Sequence, residues 1–146
     1  MAPVPDSYLV SNFRVEIEGI TVASFSEILG LDVSIDIVDY RTGSSPQTIA
    51  ERLPGLQHFG NIILKRGFTQ NIDLWNWVKN ILAGVADKRT MSIVLEDAQH
   101  NDVIRWNFKN AWPCRWSGPV LRAGTSDIAI ETLEICHEGF VLAVVP

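Results

Sequence analysis

Cysteine is nearly absent from this 146-residue chain: Cys114 and Cys136 are the two, with no CxxC spacing and no clustering with histidine. That spacing argues against a zinc ribbon; two buried free thiols are the expected state, with a single Cys114–Cys136 disulfide as the alternative. Histidine is equally sparse. His58, His100 and His137 lie far apart, no HExxH or related ligand spacing occurs, and they read as two loop residues and one strand-end residue. Neither GxSxG nor a phosphate-cradling or dinucleotide glycine pattern is present, and Gly19 and Gly30 stand alone as turn residues. No apolar run reaches the ~18 residues of a membrane helix. The start, Met1-Ala2-Pro3-Val4-Pro5-Asp6, lacks the basic and apolar regions of a signal peptide. A soluble chain made in a cytoplasm, without a membrane anchor, is expected.

What is present is ordinary globular material, 47% hydrophobic and 20% charged. A chain of this length buries roughly 70% of its unfolded surface and forms one domain, here 1–146, without staples. Its net charge of -5 argues against an outer surface devoted to nucleic acid, though not against DNA passing through an assembled channel.

Residues 1–11, opening with Pro3 and Pro5, read as an extended N-terminal arm. Phe13–Ile17 alternates apolar and polar residues and turns at Glu18-Gly19, with Ile20–Phe25 as a second short run. In Leu31–Tyr40, Val33, Ile35 and Ile37 share one face and Asp32, Ser34 and Asp36 the other, so one face is expected dry and the other wet. Residues 41–60 break the pattern: Arg41-Thr42-Gly43-Ser44-Ser45-Pro46 and Leu53-Pro54-Gly55 are turn-rich, which predicts a long loop, with a short helix near Thr48–Arg52.

Asn61–Phe68 reads as a strand. Ile72–Leu82 reads as a helix, with Leu74, Trp75, Val78, Ile81, Leu82 and Val85 in one stripe, Asn71 as cap and Gly84 at its end. Trp77 falls off that stripe and is expected to face a neighbouring copy. Met91–Glu96 and Val103–Trp112 are further strands. In the second, Ile104, Trp106 and Phe108 share one face and Arg105, Asn107 and Lys109 the other. Pro113, Gly118 and Pro119 mark a break. Along Asp127–His137 the apolar phase shifts from Ile128 and Ile130 to Leu133 and Ile135, which predicts a bulge. The sum is mainly β: an antiparallel sandwich or barrel of six or seven strands with one flanking α-helix.

Catalytic groupings are hard to find. Glu131, Glu134 and Glu138 are candidate paired carboxylates, but a solvated or intersubunit face suits them better, because Glu131 and Glu134 have opposite parity. Arg115 could lower the Cys114 thiol, but packing between Trp112 and Trp116 is the simpler expectation.

Several phrases in order then carry a resemblance. Phe25-Ser26-Glu27 precedes Gly30-Leu31-Asp32-Val33. Tyr40-Arg41, Leu53-Pro54-Gly55 and Gly60-Asn61-Ile62-Ile63-Leu64-Lys65-Arg66-Gly67 follow. Leu74-Trp75-Asn76-Trp77 opens the helix, and Trp106-Asn107-Phe108-Lys109-Asn110-Ala111-Trp112-Pro113, Glu131-Thr132-Leu133-Glu134 and His137-Glu138-Gly139 complete the set. From about residue 8 to residue 140 the chain resembles the tail tube family of contractile phages, as shared with the inner tube proteins of extracellular contractile injection systems.

The resemblance implies a structural protein without catalytic, cofactor or metal residues. It implies homo-hexameric rings with a continuous inner β-barrel, stacked into a hollow tube inside a sheath and bounded by baseplate and tube-cap proteins. The tube would be assembled in a bacterial cytoplasm and carried in a phage tail or injection particle, with protein or DNA cargo in the lumen. It places inter-subunit and inter-ring contacts in the 41–60 loop, at Tyr40, Arg41, Gly43, Leu53, Pro54, Gly55 and Leu56, and leaves Ser34, Asp36, Asn61 and Lys65 as lumen candidates. Arg105, Asn107 and Lys109 face either the channel or the outside. Alternatives are a type VI secretion-like tube protein, a baseplate-proximal initiator ring and, in another class, a small hydrolase on a β-sandwich.

Overall fold

The computed structural model describes residues 9–20, 24–41, 43 and 49–146. Nine strands and one helix lie within them: β1 (Phe13–Ile17), β2 (Glu27–Leu29), β3 (Val33–Tyr40), β4 (Glu51–Phe59), β5 (Ile62–Gly67), α1 (Asp73–Leu82), β6 (Arg89–Glu96), β7 (Asp102–Ser117), β8 (Ile130–Cys136) and β9 (Phe140–Val144). The mainly β, antiparallel expectation holds, with more strands than the six or seven expected. Seven form one sheet in the order β1-β6-β7-β8-β5-β2, with β9 also on β7, and β3 and β4 form a separate pair.

β7 is the spine. Its first half pairs with β6 and β9 and its second half with β8. β8 and β9 thus form one broken strand along the same side of β7, interrupted at His137–Gly139. The chain does not break at Pro113, as expected, but runs on to Ser117. β6 has ended by then, since Arg89 pairs with Ala111, so Pro113 needs no donor on that side. The predicted bulge is also displaced. β8 pairs with β5 without interruption from Ile62–Ile135 to Gly67–Ile130, and the irregularity sits on β7 between Pro113 and Arg115. Ile128, the origin of the apparent phase shift, precedes the strand and is exposed.

The core is made by Ile62 and Leu64 of β5, Leu133 and Ile135 of β8, Met91 and Ile93 of β6 and Phe108 of β7, closed by α1. Asn71 Oδ1 accepts the Asp73 N–H at 3.0 Å at the start of α1, which ties up one of the donors that a helix N-terminus leaves free. The helix buries Leu74, Trp77 and Val78. Trp77 is therefore not a neighbour-facing residue: it is fully buried, its Nε1–H donates to the Asp87 carbonyl at 2.8 Å, and Arg89 lies over its ring. Trp75, Leu82 and Val85 are the exposed members of the expected stripe.

The expected loop over 41–60 is, from Glu51 onward, strand β4. Of the expected short helix, Thr48 lies outside the described residues and Glu51 and Arg52 are extended. Most of the expected arm, residues 1–8, and residues 21–23 of the second short run also lie outside them. The tail is not a loose end, because Phe140–Val144 pairs with β7.

Candidate functional site

β2–β3 and β5–β4 form one long antiparallel ribbon, bent in the middle. Glu27 pairs with Lys65 and Leu29 with Ile63 in the inner half; Val33 pairs with Phe59 and Ile35 with Gln57 in the outer half. No residue is gained or lost across the bend. The inner half is part of the sheet, with β5 against β8. The outer half leaves the sheet and pairs only with itself.

The bend is a close-packed joint. Gly30 has φ +99, a region that L side chains rarely enter, and a Cβ there would overlap the Asn61 carbonyl. A Cβ on Gly60 would overlap the Asp32 carboxylate. The Gly60 N–H donates to the Asp32 carbonyl at 3.2 Å. His137, in the break between β8 and β9, completes the joint. Its Nδ1 accepts the Gly139 N–H at 3.0 Å, which leaves the proton on Nε2 to be donated to the Gly60 carbonyl at 2.9 Å. Phe59 packs edge-on against Phe140, with centroids 5.1 Å apart, and against His137.

Beyond the joint every residue of β3 is exposed, on both faces. The expected dry face is therefore open in the subunit: among the described residues no other layer lies over it. Of the interface candidates, Tyr40, Leu53, Pro54, Gly55 and Leu56 lie on this outer ribbon, and Arg41 and Gly43 lie just past the end of β3. Tyr40 sits opposite Glu51 and Leu53 opposite Val38. Leu56 is 72% exposed, a large apolar side chain facing solvent in the subunit.

The lumen candidates fall on the two halves of the ribbon. Ser34 and Asp36 lie on β3, where Asp36 meets His58 Nε2 at 2.9 Å. Asn61 and Lys65 lie at and on β5, where Asn61 donates to Glu134 at 2.9 Å and Lys65 lies 3.6 Å from Glu27.

A further group went unread in the sequence. Arg66 and Glu131, cross-strand partners on β5 and β8, form a buried ion pair. Glu131 also accepts from Trp116 Nε1 at 3.1 Å, and Arg66 donates to the Asn71 carbonyl at 3.0 Å. Glu131 is thus not part of a solvated carboxylate face. The signal was its parity, shared with the buried Leu133 and Ile135, while Arg66 shares that of Ile62 and Leu64. Opposite charges stood on the apolar phases of two adjacent strands.

The remaining charged groups knit the sheet. Arg14 of β1 reaches over β6 to Asp102, with one contact at 2.7 Å, and Glu16 joins Arg14 to Arg105. The bond from Arg14 holds the Asp102 carboxyl below the usual range. Burial works against the Glu16 carboxylate, but the bonds from Arg14 and Arg105 outweigh it and lower its pKa as well. Arg105 is thereby turned to Glu16, while Asn107 accepts from Ser92 at 2.7 Å. Cys114 is exposed, not packed between tryptophans, yet partial burial and the nearby Glu134 push its thiol up to about 11, away from nucleophilic chemistry. Among the described residues no group of three or more His, Cys, Asp or Glu is placed to hold a metal, and no helix is long and apolar enough to cross a membrane.

The family model described as T4-like virus tail tube protein gp19 matches residues 10–141. The chain belongs to the tail tube family. No curated protein sequence matches it significantly. Among solved structures, this tail tube protein is similar to a chain of the PVC sheath-tube complex of an extracellular contractile injection system in its extended state. That match has a TM-score of 0.85 and 26% identity, over 97% of this chain and 95% of the other. It is also similar to a chain in the tube-terminating cap of the anti-feeding prophage, with a TM-score of 0.86 and 22% identity over 99% and 96%. A type six secretion system protein shares the fold, with a TM-score of 0.61 and 11% identity over 92% and 84%.

Proposed function

We propose that this tail tube protein is the main inner tube subunit of a contractile tail or contractile injection system, and that it works by assembly rather than catalysis. Copies close into six-fold rings with a continuous inner barrel. The rings stack into a hollow tube, and sheath contraction drives that tube through a target envelope with protein or DNA cargo in its lumen. Sheath, baseplate and tube-cap proteins are its partners, and assembly takes place in a bacterial cytoplasm. The likeness to a chain of a sheath-tube complex, at 26% identity over nearly the whole of both chains, supports the sheath as partner.

The observation that carries the reading is the outer ribbon. A lone two-stranded hairpin is at best marginally stable in water. This one exposes Val33, Ile35, Ile37, Val38, Tyr40, Leu53 and Leu56, which suits a surface that is covered on assembly. In this reading Tyr40, Arg41, Gly43 and Leu53–Leu56 make inter-subunit and inter-ring contacts. Ser34, Asp36, Asn61 and Lys65 face the channel. Negative-stain electron microscopy of the purified chain over a concentration series tests this directly. Six-fold rings or hollow tubes are expected. Monomers at every concentration, even beside the sheath and baseplate proteins, would overturn it.

A further inference from the structure

Resting on the tube-subunit reading, we propose that His137 is a proton switch for assembly: the neutral imidazole locks the joint that aims the outer ribbon, and protonation unlocks it.

The two ring nitrogens have opposite roles. Nδ1 accepts the Gly139 N–H at 3.0 Å, and Nε2 lies 2.9 Å from the Gly60 carbonyl, to which it donates. Only the neutral ring can accept at one nitrogen and donate at the other, because both nitrogens of an imidazolium are donors. A proton on Nδ1 would meet the Gly139 N–H donor to donor. The bond is lost and the ring must turn.

The two bonds reach opposite sides of the joint. Gly139 belongs to the sheet, where its carbonyl accepts the Lys109 N–H at 3.0 Å. Gly60 lies between the outer ribbon and β5. Around the ring stand Phe108, Phe59 and Phe140, with centroids 4.9, 5.9 and 6.2 Å from that of His137. A turn of the imidazole therefore also disturbs Phe59, the last residue of β4, against Phe140, the first of β9.

Among the described residues no carboxylate is bonded to the ring. Glu138, next in the chain, is taken by Asn110 and Lys88, at 2.6 and 3.2 Å. His58, beside Phe59 on β4, turns to Asp36. Lys109, beside Phe108 on β7, is exposed. Asp32, whose carboxylate lies against Gly60 across the joint, is the group placed to favour an imidazolium, and so works against the switch.

The direction of the effect follows from linkage. An unconstrained imidazole takes up its proton at about pH 6.5. The closed joint holds the neutral ring and an open joint holds either form, so protons favour opening. Closure is complete well above that pH and weakens as pH falls below it. This window lies above the carboxylate range in which the bonds of Asp102 and Glu16 are lost. With the joint open, β3 and β4 still pair with each other but are no longer aimed, so the subunit stays folded while assembly fails.

The full chain is compared at about pH 8 and about pH 5.5, on either side of the free imidazole value. In the subunit, NMR hydrogen exchange reads the Gly139 amide against the Leu133 amide in the same sheet, which removes the intrinsic dependence of exchange on pH. Relative protection of Gly139 is expected to fall about tenfold at the lower pH, one unit below that value. In assembly, negative-stain microscopy is expected to show wild-type tubes at least about tenfold shorter at the lower pH, because every copy in a tube needs a closed joint. His137→Gln keeps an acceptor and a donor but does not titrate, so its tube lengths should differ less than about twofold between the two pH values. His58→Gln should keep the wild-type ratio, and circular dichroism checks that each variant is folded. Equal wild-type tubes at both pH values, the same acid loss in His137→Gln, or an unchanged Gly139 ratio would overturn the switch. A wild-type chain that forms no ring at the higher pH overturns the tube reading instead, and the Gly139 ratio still decides whether protons open the joint.

Discussion

The two halves of the bent ribbon share a strand pair and a register yet live in different environments. In the inner half, β5 buries Ile62, Leu64 and Arg66 on one face and pairs with β8 on its free side. In the outer half, neither β3 nor β4 has a buried residue. The two strands pair with each other in both halves, but the inner half adds a ladder to β8 and a buried face, whereas the outer half has neither and carries a bulge. The inner half is held by the subunit's own core. The outer half is held by its own hydrogen bonds and by the joint, and leaves its side chains exposed.

Breaking the inner half most severely means breaking its buried ion pair. Arg66→Ala or Glu131→Ala leaves an uncompensated buried charge and should cost about 3–5 kcal/mol in urea unfolding. Arg52→Ala, which removes half of the exposed Asp39–Arg52 pair, should change little. Equal losses from the two would contradict the contrast. Leucines sharpen it further. Leu64→Ala should cost about 2–5 kcal/mol, whereas Leu56→Ala should stay within ~0.5 kcal/mol in the monomer while shortening tubes. At the joint, His137→Ala removes both bonds that tie Gly60 to Gly139. A loss of roughly 1–3 kcal/mol is expected, with a larger relative effect on assembly. His137→Gln, able to donate and accept, should recover part of it. Full assembly by the alanine variant would show that the joint does not direct the ribbon.

The surface network should give the smallest effect. Arg14→Ala should cost about 1 kcal/mol or less, and the difference should shrink in 1 M salt. The same network sets an acid limit. Asp102 and Glu16 have lowered pKa values in the fold, so their contribution is complete above the ordinary carboxylate range and is lost as pH falls through the lowered values. The melting temperature should decline between about pH 5 and pH 2, and less steeply in Arg14→Ala.

Much of the sheet was legible because its strands alternate strongly and its core is local in pattern. Phe13–Ile17, Ile62–Gly67, Met91–Glu96 and the first half of β7 all lie where the alternation put them. β4 was illegible for a physical reason. Its Pro54-Gly55 step reads as a turn, yet a strand of a two-stranded ribbon has a free side that tolerates proline, and the bulge at Gly55-Leu56 absorbs the rest. Trp77 was misjudged because apolar residues surround α1 on more than one side, so spacing alone could not say which stripe the sheet would take. The joint was invisible, since it brings Gly30, Gly60 and His137 together from three distant segments. The proposed interface residues came only from the family resemblance. Their exposure in the subunit has no sequence signature distinct from that of a core strand.

The unbroken register through the joint makes the ribbon's length adjustable independently of the sheet. Adding one residue to each outer strand would turn every side chain beyond the insertion to the other face. Adding two to each would restore the facing and move the tip about 6.6 Å further from the joint. The reach of the ribbon can therefore change without altering its facing only in such paired steps, while the seven-stranded sheet stays as it is.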